Sequence, residues 1–276
     1  MRGVRAGVAG ENRVLEGVLI RRPLTRPPGH PYVGWMAVAL VTGASGALGR
    51  AIAERLAGDG YRLALHHRSN GVHELAAALR RRGAEVALVQ GDVRREADAA
   101  RMLDEAQRAL GPLDVLVNNA GLVKDRTITR MSVDEWDLVL DTNLKGVFLM
   151  CRAAVGGMRE RRRGKIVNIS SIVGAMGNFG QVNYAASKAG MIGLTKALAR
   201  ECARDQVTVN CICPGFMDTP MVRGVPEPVQ EKLVAQIPLG RFGEPSAVGD
   251  AVAYLAGPGG DYVTGQVLHV NGGMYM

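Results

Sequence analysis

Nowhere in the 276 residues do about 18 apolar side chains run together, the length that a membrane-spanning helix needs, so no insertion in a membrane is expected. Aromatic residues make up only 4% of the chain, too few to interleave with basic residues as a stacking platform for nucleic acid. Cysteine is scarce as well. Cys151, Cys202, Cys211 and Cys213 form no C-x-x-C pair, and no histidines stand near them at zinc-ligand spacing, so neither a metal nor a disulfide framework is expected. They read as reduced, buried thiols of a cytoplasmic protein. What remains, 47% hydrophobic and 22% charged residues, is the composition of a chain that buries a full core.

The net charge is +8, from 34 basic and 26 acidic residues. Its distribution matters more than its size. Residues 1–35 carry Arg2, Arg5, Arg13, Arg21, Arg22 and Arg26 against Glu11 and Glu16, which is half of the excess in one-eighth of the chain. That segment has no serine and no apolar core of a secretory signal, which argues against a targeting peptide. With Pro23, Pro27, Pro28 and Pro31 it reads as a disordered arm, either dispensable or upstream of the natural start at Met36.

From Met36 onward short apolar runs alternate with longer amphipathic stretches, the pattern of a parallel sheet covered on both faces. Seven strands are expected, at 37–41, 62–66, 85–89, 114–117, 165–169, 207–212 and 266–270. A helix over 96–109 puts Ala97, Ala100, Leu103 and Ala106 near one face and is stopped by Gly111-Pro112. The expectation is one α/β domain over 36–276, a doubly wound Rossmann fold with a seven-stranded parallel sheet.

Two motifs carry chemistry. The run Thr42-Gly43-Ala44-Ser45-Gly46-Ala47-Leu48-Gly49 leads from the first strand straight into a helix, where a glycine-rich backbone and free helix N–H groups suit a pyrophosphate. Downstream, Ser171 follows the fifth strand, and Tyr184 and Lys188 stand four apart on one helical face. A lysine ammonium beside a phenol is expected to pull the phenol's pKa down and make it a proton donor and acceptor near neutrality.

Taken together and in order, these residues resemble the short-chain dehydrogenase/reductase family over essentially all of 36–276. The likeness includes Asp92-Val93, Asn118-Asn119-Ala120-Gly121, Asn143 within DTNLKG, and Pro214-Gly215. Residues 174–190, 238–245 and 262–276 are most similar to its 3-oxoacyl-[acyl-carrier-protein] reductases of type II fatty-acid synthesis. The resemblance implies hydride transfer from NADPH to the β-carbonyl of an acyl thioester while Tyr184 protonates the oxygen and Ser171 hydrogen-bonds it. Lys188 would hold the nicotinamide ribose and tune Tyr184, and Asn143 would hold a water that reprotonates Lys188. Gly43, Ala44, Ser45, Gly46, Leu48 and Gly49 would line the pyrophosphate. Asp92 and Val93 would flank the adenine. Asn119, Ala120, Gly121, Pro214, Gly215, Met217 and Thr219 would complete the cofactor site. The resemblance also implies a homotetramer with helices around 137–162 and 184–204 in one interface.

The second strand ends in His66-His67-Arg68-Ser69-Asn70, with no acid before Glu74. An acidic residue there bonds the ribose 2′-OH of NAD, whereas arginine clamps the 2′-phosphate of NADP, so Arg68 predicts NADP(H). Two positions depart from the family pattern: Ala47 replaces a glycine, and Gly46 stands where the subgroup often has arginine. The run Arg159 to Arg163 ends a helix, where cations suit the negative end of its dipole; the resemblance instead implies that Arg161, Arg162 and Arg204, with Arg200 near them, form a dock for an acidic acyl carrier protein, and both readings stay open. Acetoacetyl-CoA reduction, reduction of a polyketide or xenobiotic carbonyl, and non-catalytic NADP sensing on the same fold stay open at this point. The segment 217–237 reads as a lid.

Overall fold

The computed structural model describes residues 37–69 and 71–276, and the arm expected over 1–35 lies outside the described residues. Seven strands appear where the apolar runs place them, with ends shifted by one or two residues. They are β1 (Val38–Val41), β2 (Arg62–His67), β3 (Val86–Gln90), β4 (Leu113–Asn118), β5 (Gly164–Ile169), β6 (Val207–Pro214) and β7 (Val267–Val270). All pair in parallel in the order β3-β2-β1-β4-β5-β6-β7. The order reverses beside β1, which creates the crevice at the strands' carboxyl ends where open α/β sheets bind ligands.

The helices are α1 (Ala47–Gly58), α2 (His73–Arg81), α3 (Glu96–Leu110), α4 (Val133–Leu140), α5 (Gly146–Glu160), α6 (Val173–Met176), α7 (Val182–Cys202), α8 (Pro220–Arg223), α9 (Glu227–Val234) and α10 (Pro245–Ala256). The expected stop of α3 is found: Gly111 follows it at φ 94°, a conformation that costs glycine little. A core of Val38, Leu40, Met102, Leu116, Met150, Ile166, Met191 and Val209 joins one face of the sheet to α3, α5 and α7. Each such side chain removed from water contributes about 1.5–3 kcal/mol before entropy is counted. On the other face α1 crosses α10 closely, and a Cβ on Gly249 would stand 2.9 Å from the carbonyl oxygen of Ala51. Both faces are therefore covered, which is why β1 is buried at all four residues and reads as an unbroken apolar run.

Among the described residues no helix is long and apolar enough to cross a membrane, and no group of three or more His, Cys, Asp or Glu could hold a metal ion. The four cysteines are buried and unbonded to one another.

Candidate active site

The strands deliver the motif residues to one edge of the sheet. β1 runs into the Gly-rich turn, and Gly43 takes φ +64° while packing so tightly on the next loop that a Cβ would fall 2.8 Å from Ala120 Cα. Gly49 is tighter still, since a Cβ there would stand 2.3 Å from the Gly43 carbonyl oxygen. The turn is wired from behind. The Thr42 hydroxyl accepts the N–H groups of Asn119 (2.9 Å) and Ala120 (3.0 Å), and Asn119 Nδ2 donates to the carbonyls of Thr42 and Gly43, both at 3.0 Å. The exposed Ser45 and Gly46 then open α1, whose N-terminus no side chain caps. A bare helix start behind a preformed turn fits a pyrophosphate. Ala47 at the helix start leaves the turn intact, and Leu48 is half-buried beside it.

At the end of β2, Arg68 is exposed and next to no acid of its own strand. Asp92 and Val93 follow β3. Val93 is buried, and its Cγ2 would lie 2.9 Å from a Cβ on Gly146. The Asp92 carboxylate takes Arg94 Nε at 2.9 Å, an engagement that holds its pKa at about 2, and Arg68 adds to the effect from farther off. These residues suit an adenosine 2′-phosphate on Arg68 with the base over Val93.

Ser171, Tyr184 and Lys188 converge beyond β5. Lys188 is buried on α7 and its Nζ donates to the Ile169 carbonyl at 2.7 Å, 5.6 Å from the centre of the Tyr184 ring. The Tyr184 hydroxyl lies close enough to Ser171 to interact with it, and Ser171 Oγ accepts the Val173 amide at 3.1 Å. The approach of this turn to α7 requires glycine at 174, where a Cβ would come within 2.7 Å of the Lys188 backbone. One expectation is corrected here. Burial pushes the Tyr184 phenol up rather than down, with the Ser171 hydrogen bond acting in the opposite sense, and burial lowers Lys188 to about 8. Both groups are moved toward their neutral forms because desolvation is the largest influence on each.

Asn143 lies in a five-residue π-helix, Asp141–Lys145, a local irregularity frequent at functional sites. Its carboxamide accepts the Leu122 amide (2.9 Å) and donates to the Leu122 carbonyl (2.9 Å) and to Ser187 Oγ (3.3 Å). The side chain expected to hold a water is thus engaged with protein groups and positions the loop after β4. Gly121 in that loop faces both Asn143 Oδ1 and Lys188 Nζ, which would lie 3.2 and 3.7 Å from its Cβ. At the end of β6, Pro214 is buried and Gly215 half-buried against Asn271. Met217 turns its sulfur toward Gly243 rather than outward, and Thr219 precedes α8.

Three structural participants were not among the expected site residues: Asn183, Ser187 and His66. Asn183 is fully buried, caps the Tyr184 amide at 2.7 Å and donates to the carbonyls of Lys124 (3.1 Å) and Glu135 (3.3 Å), so it fixes the start of α7. Ser187 Oγ donates to the Tyr184 carbonyl at 2.8 Å. His66 braces the Gly-rich turn. Asn183 and Ser187 immediately precede Tyr184 and Lys188 in sequence, which was the available signal.

The basic run does not join the site. Arg161 and Arg162 precede β5 and Arg204 precedes β6, so in a parallel sheet they stand at the amino edge. β5, with six residues, separates them from Ser171 by about 20 Å. Arg161 Nη2 donates to the Leu113 carbonyl at 2.6 Å, while Arg159 and Arg163 pair with Asp205 and Asp114. Arg162 and Arg204 are exposed.

A family model described as Enoyl-(Acyl carrier protein) reductase matches residues 43–275. The chain is 45% identical over 240 residues to the 3-oxoacyl-[acyl-carrier-protein] reductase FabG of Staphylococcus epidermidis, covering 86% of this chain and 98% of that protein. It is 46% identical over 242 residues to FabG of Staphylococcus aureus, with coverage of 86% and 98%. FabG of Pseudomonas aeruginosa is 45% identical over 240 residues, with coverage of 87% and 97%. With the parallel seven-stranded sheet, the glycine turn and the Ser171, Tyr184 and Lys188 cluster at one edge, these matches establish that the chain belongs to the short-chain dehydrogenase/reductase family.

Proposed function

We propose that the protein reduces 3-oxoacyl groups carried on acyl carrier protein to 3-hydroxyacyl groups, using NADPH. One observation carries the reading: the Ser171 and Tyr184 hydroxyls interact beyond the carboxyl end of β5, with Lys188 Nζ 5.6 Å from the centre of the phenol ring. FabG relatives at 45–46% identity, named for this reaction, support the substrate class. The bound dinucleotide supplies the hydride. Arg68, the turn 43–49 and the loops at 119–121 and 214–219 hold it, and the absence of an acid at the end of β2 favours the 2′-phosphate.

The protein's own groups manage the oxygen. Ser171 donates to the carbonyl as charge builds on it, an interaction of about 3 kcal/mol in comparable sites. Tyr184, kept a neutral phenol by burial, gives its proton to that oxygen. Lys188, at about 8, is largely ammonium near neutrality and stabilises the tyrosinate that results. Asn143, Asn183 and Ser187 keep the two helices in register around this step.

The assembly is proposed as a homotetramer with α5 and α7 in one interface. A carrier protein docked on Arg162 and Arg204 then serves a neighbouring subunit's crevice, because these arginines face away from their own. Residues 1–35 are proposed as unnecessary, so a chain that starts at Met36 keeps its rate.

The test is the initial rate of NADPH oxidation with acetoacetyl carried on acyl carrier protein, on CoA and on pantetheine, beside a 2-enoyl thioester and NADH as controls. Preference for the carrier protein that weakens with salt and with Arg162→Glu/Arg204→Glu is the expected result. Preference for CoA makes the protein an acetoacetyl-CoA reductase. Faster turnover of the enoyl thioester overturns the proposed reaction.

A further inference from the structure

His66, the residue before the last of β2, lies directly behind the Gly-rich turn and is buried, 3% exposed. Its ring Nδ1 accepts the Gly43 amide at 3.0 Å, and its carbonyl accepts the next amide, Ala44, also at 3.0 Å. One residue therefore holds two successive N–H groups of the turn. An amide can only donate, so Nδ1 must carry a lone pair and the ring proton must sit on Nε2. That proton reaches the Gly91 carbonyl at 3.1 Å, at the start of the loop that carries Asp92 and Val93. The ring thus spans the two segments assigned to the pyrophosphate and to the adenine.

We infer that His66 is a positioning residue for the dinucleotide: its neutral imidazole, protonated on Nε2, sets the Gly43 turn against the Gly91 loop and makes cofactor affinity depend on the state of that ring. The inference rests on the dinucleotide reading above. A second ring proton would point Nδ1–H at the Gly43 N–H, and the turn would have to move away. The groups that act on the ring are His67 next to it on β2, Asp92 after β3, and Asp98 on α3. Asp92 is neutralised by Arg94 and Asp98 by Arg101, and Gly43 to Gly46 carry no ionisable side chain. Burial dominates and lowers the His66 pKa below its ordinary value, so the brace holds at neutral pH and fails on acidification.

The experiment measures NADPH binding by fluorescence to the full chain, from about pH 8 down to about pH 5.5, for the wild type, His66→Asn and His66→Phe. Asparagine Oδ1 lies near the place of Nδ1 and does not titrate, whereas phenylalanine leaves the Gly43 N–H without its acceptor. At pH 7.5 the phenylalanine variant should bind about tenfold more weakly and the asparagine variant within about threefold of wild type. On acidification the wild type should lose several-fold more affinity than His66→Asn, since the two proteins share every other ionisable group. Parallel pH curves for these two proteins overturn the inference, and that comparison stands even if His66→Phe does not fold. Wild-type affinity for NADH but not NADPH corrects the cofactor and moves the same comparison to NADH. Binding of neither dinucleotide overturns the proposed function, and the inference with it.

Discussion

Lys188 is costly to the fold, and the proposed chemistry needs its ammonium. Its ordinary value of 10.5 falls to about 8 in the folded protein, so between those two values the unfolded chain binds the extra proton and stability rises with pH. Below about 8 the folded protein carries a buried ammonium at full desolvation cost. Lys188→Met should therefore raise stability at pH 7 by about 2 kcal/mol once the lost partner of the Ile169 carbonyl is counted, seen as a higher melting temperature, while abolishing turnover. Calorimetry at pH 7 and pH 10 checks this, and the gain should shrink at the higher pH. In the wild type, kcat/KM should fall as pH rises through about 8, where the ammonium is lost. Gly49 makes the opposite case, since nothing titrates there and space alone decides. A methyl 2.3 Å from a backbone oxygen must move the turn, so Gly49→Ala should cost about 1–3 kcal/mol and weaken dinucleotide binding, read by thermal shift and titration. At this scale the pair Tyr184 and Lys188 was legible because helical spacing alone brings them together. His66 was not, since its acceptor role depends on Gly43 and Gly91, each more than twenty residues away.

The strands were readable for a different reason. With both faces covered, β1 and β4 must be apolar at nearly every position, and such runs announce themselves. The π-helix around Asn143 left no such mark, since it depends on how α4 and α5 meet. The position of the arginine run was implicit in the order of elements: residues before a parallel strand lie at the edge opposite those after it. Charge alone carried no such direction. The lid expected at 217–237 is built from α8 and α9, and α9 buries no residue. An element without buried side chains opens at little cost. Amides of Pro220–Val234 should exchange fastest among the helices and slow when dinucleotide and acyl substrate are bound, as hydrogen exchange with mass analysis would show. Equal protection of α9 and α10 in the free protein would contradict this.

For the whole molecule, the apolar surface is unevenly placed. Val133 and Trp136 on α4, Phe148 on α5 and Val182 on α7 remain exposed in a single chain, Phe148 by 48% and Val133 by 73%. Large apolar side chains left exposed on α5 and its neighbours are what the proposed subunit interface would cover. Light scattering should give the mass of four chains, and Phe148→Asp should reduce it. A monomeric wild type would contradict the proposed assembly and, with it, the carrier dock on a neighbour.

Tyr184, held neutral beside Ser171, is proposed to protonate the oxygen of a 3-oxoacyl thioester. This step is tested most directly by single-turnover oxidation of NADPH with acetoacetyl-acyl carrier protein, for the wild type and Tyr184→Phe. The variant should be slower by about 10²-fold or more, with dinucleotide binding retained. Similar rates in the two proteins, or no turnover by the wild type, would contradict it.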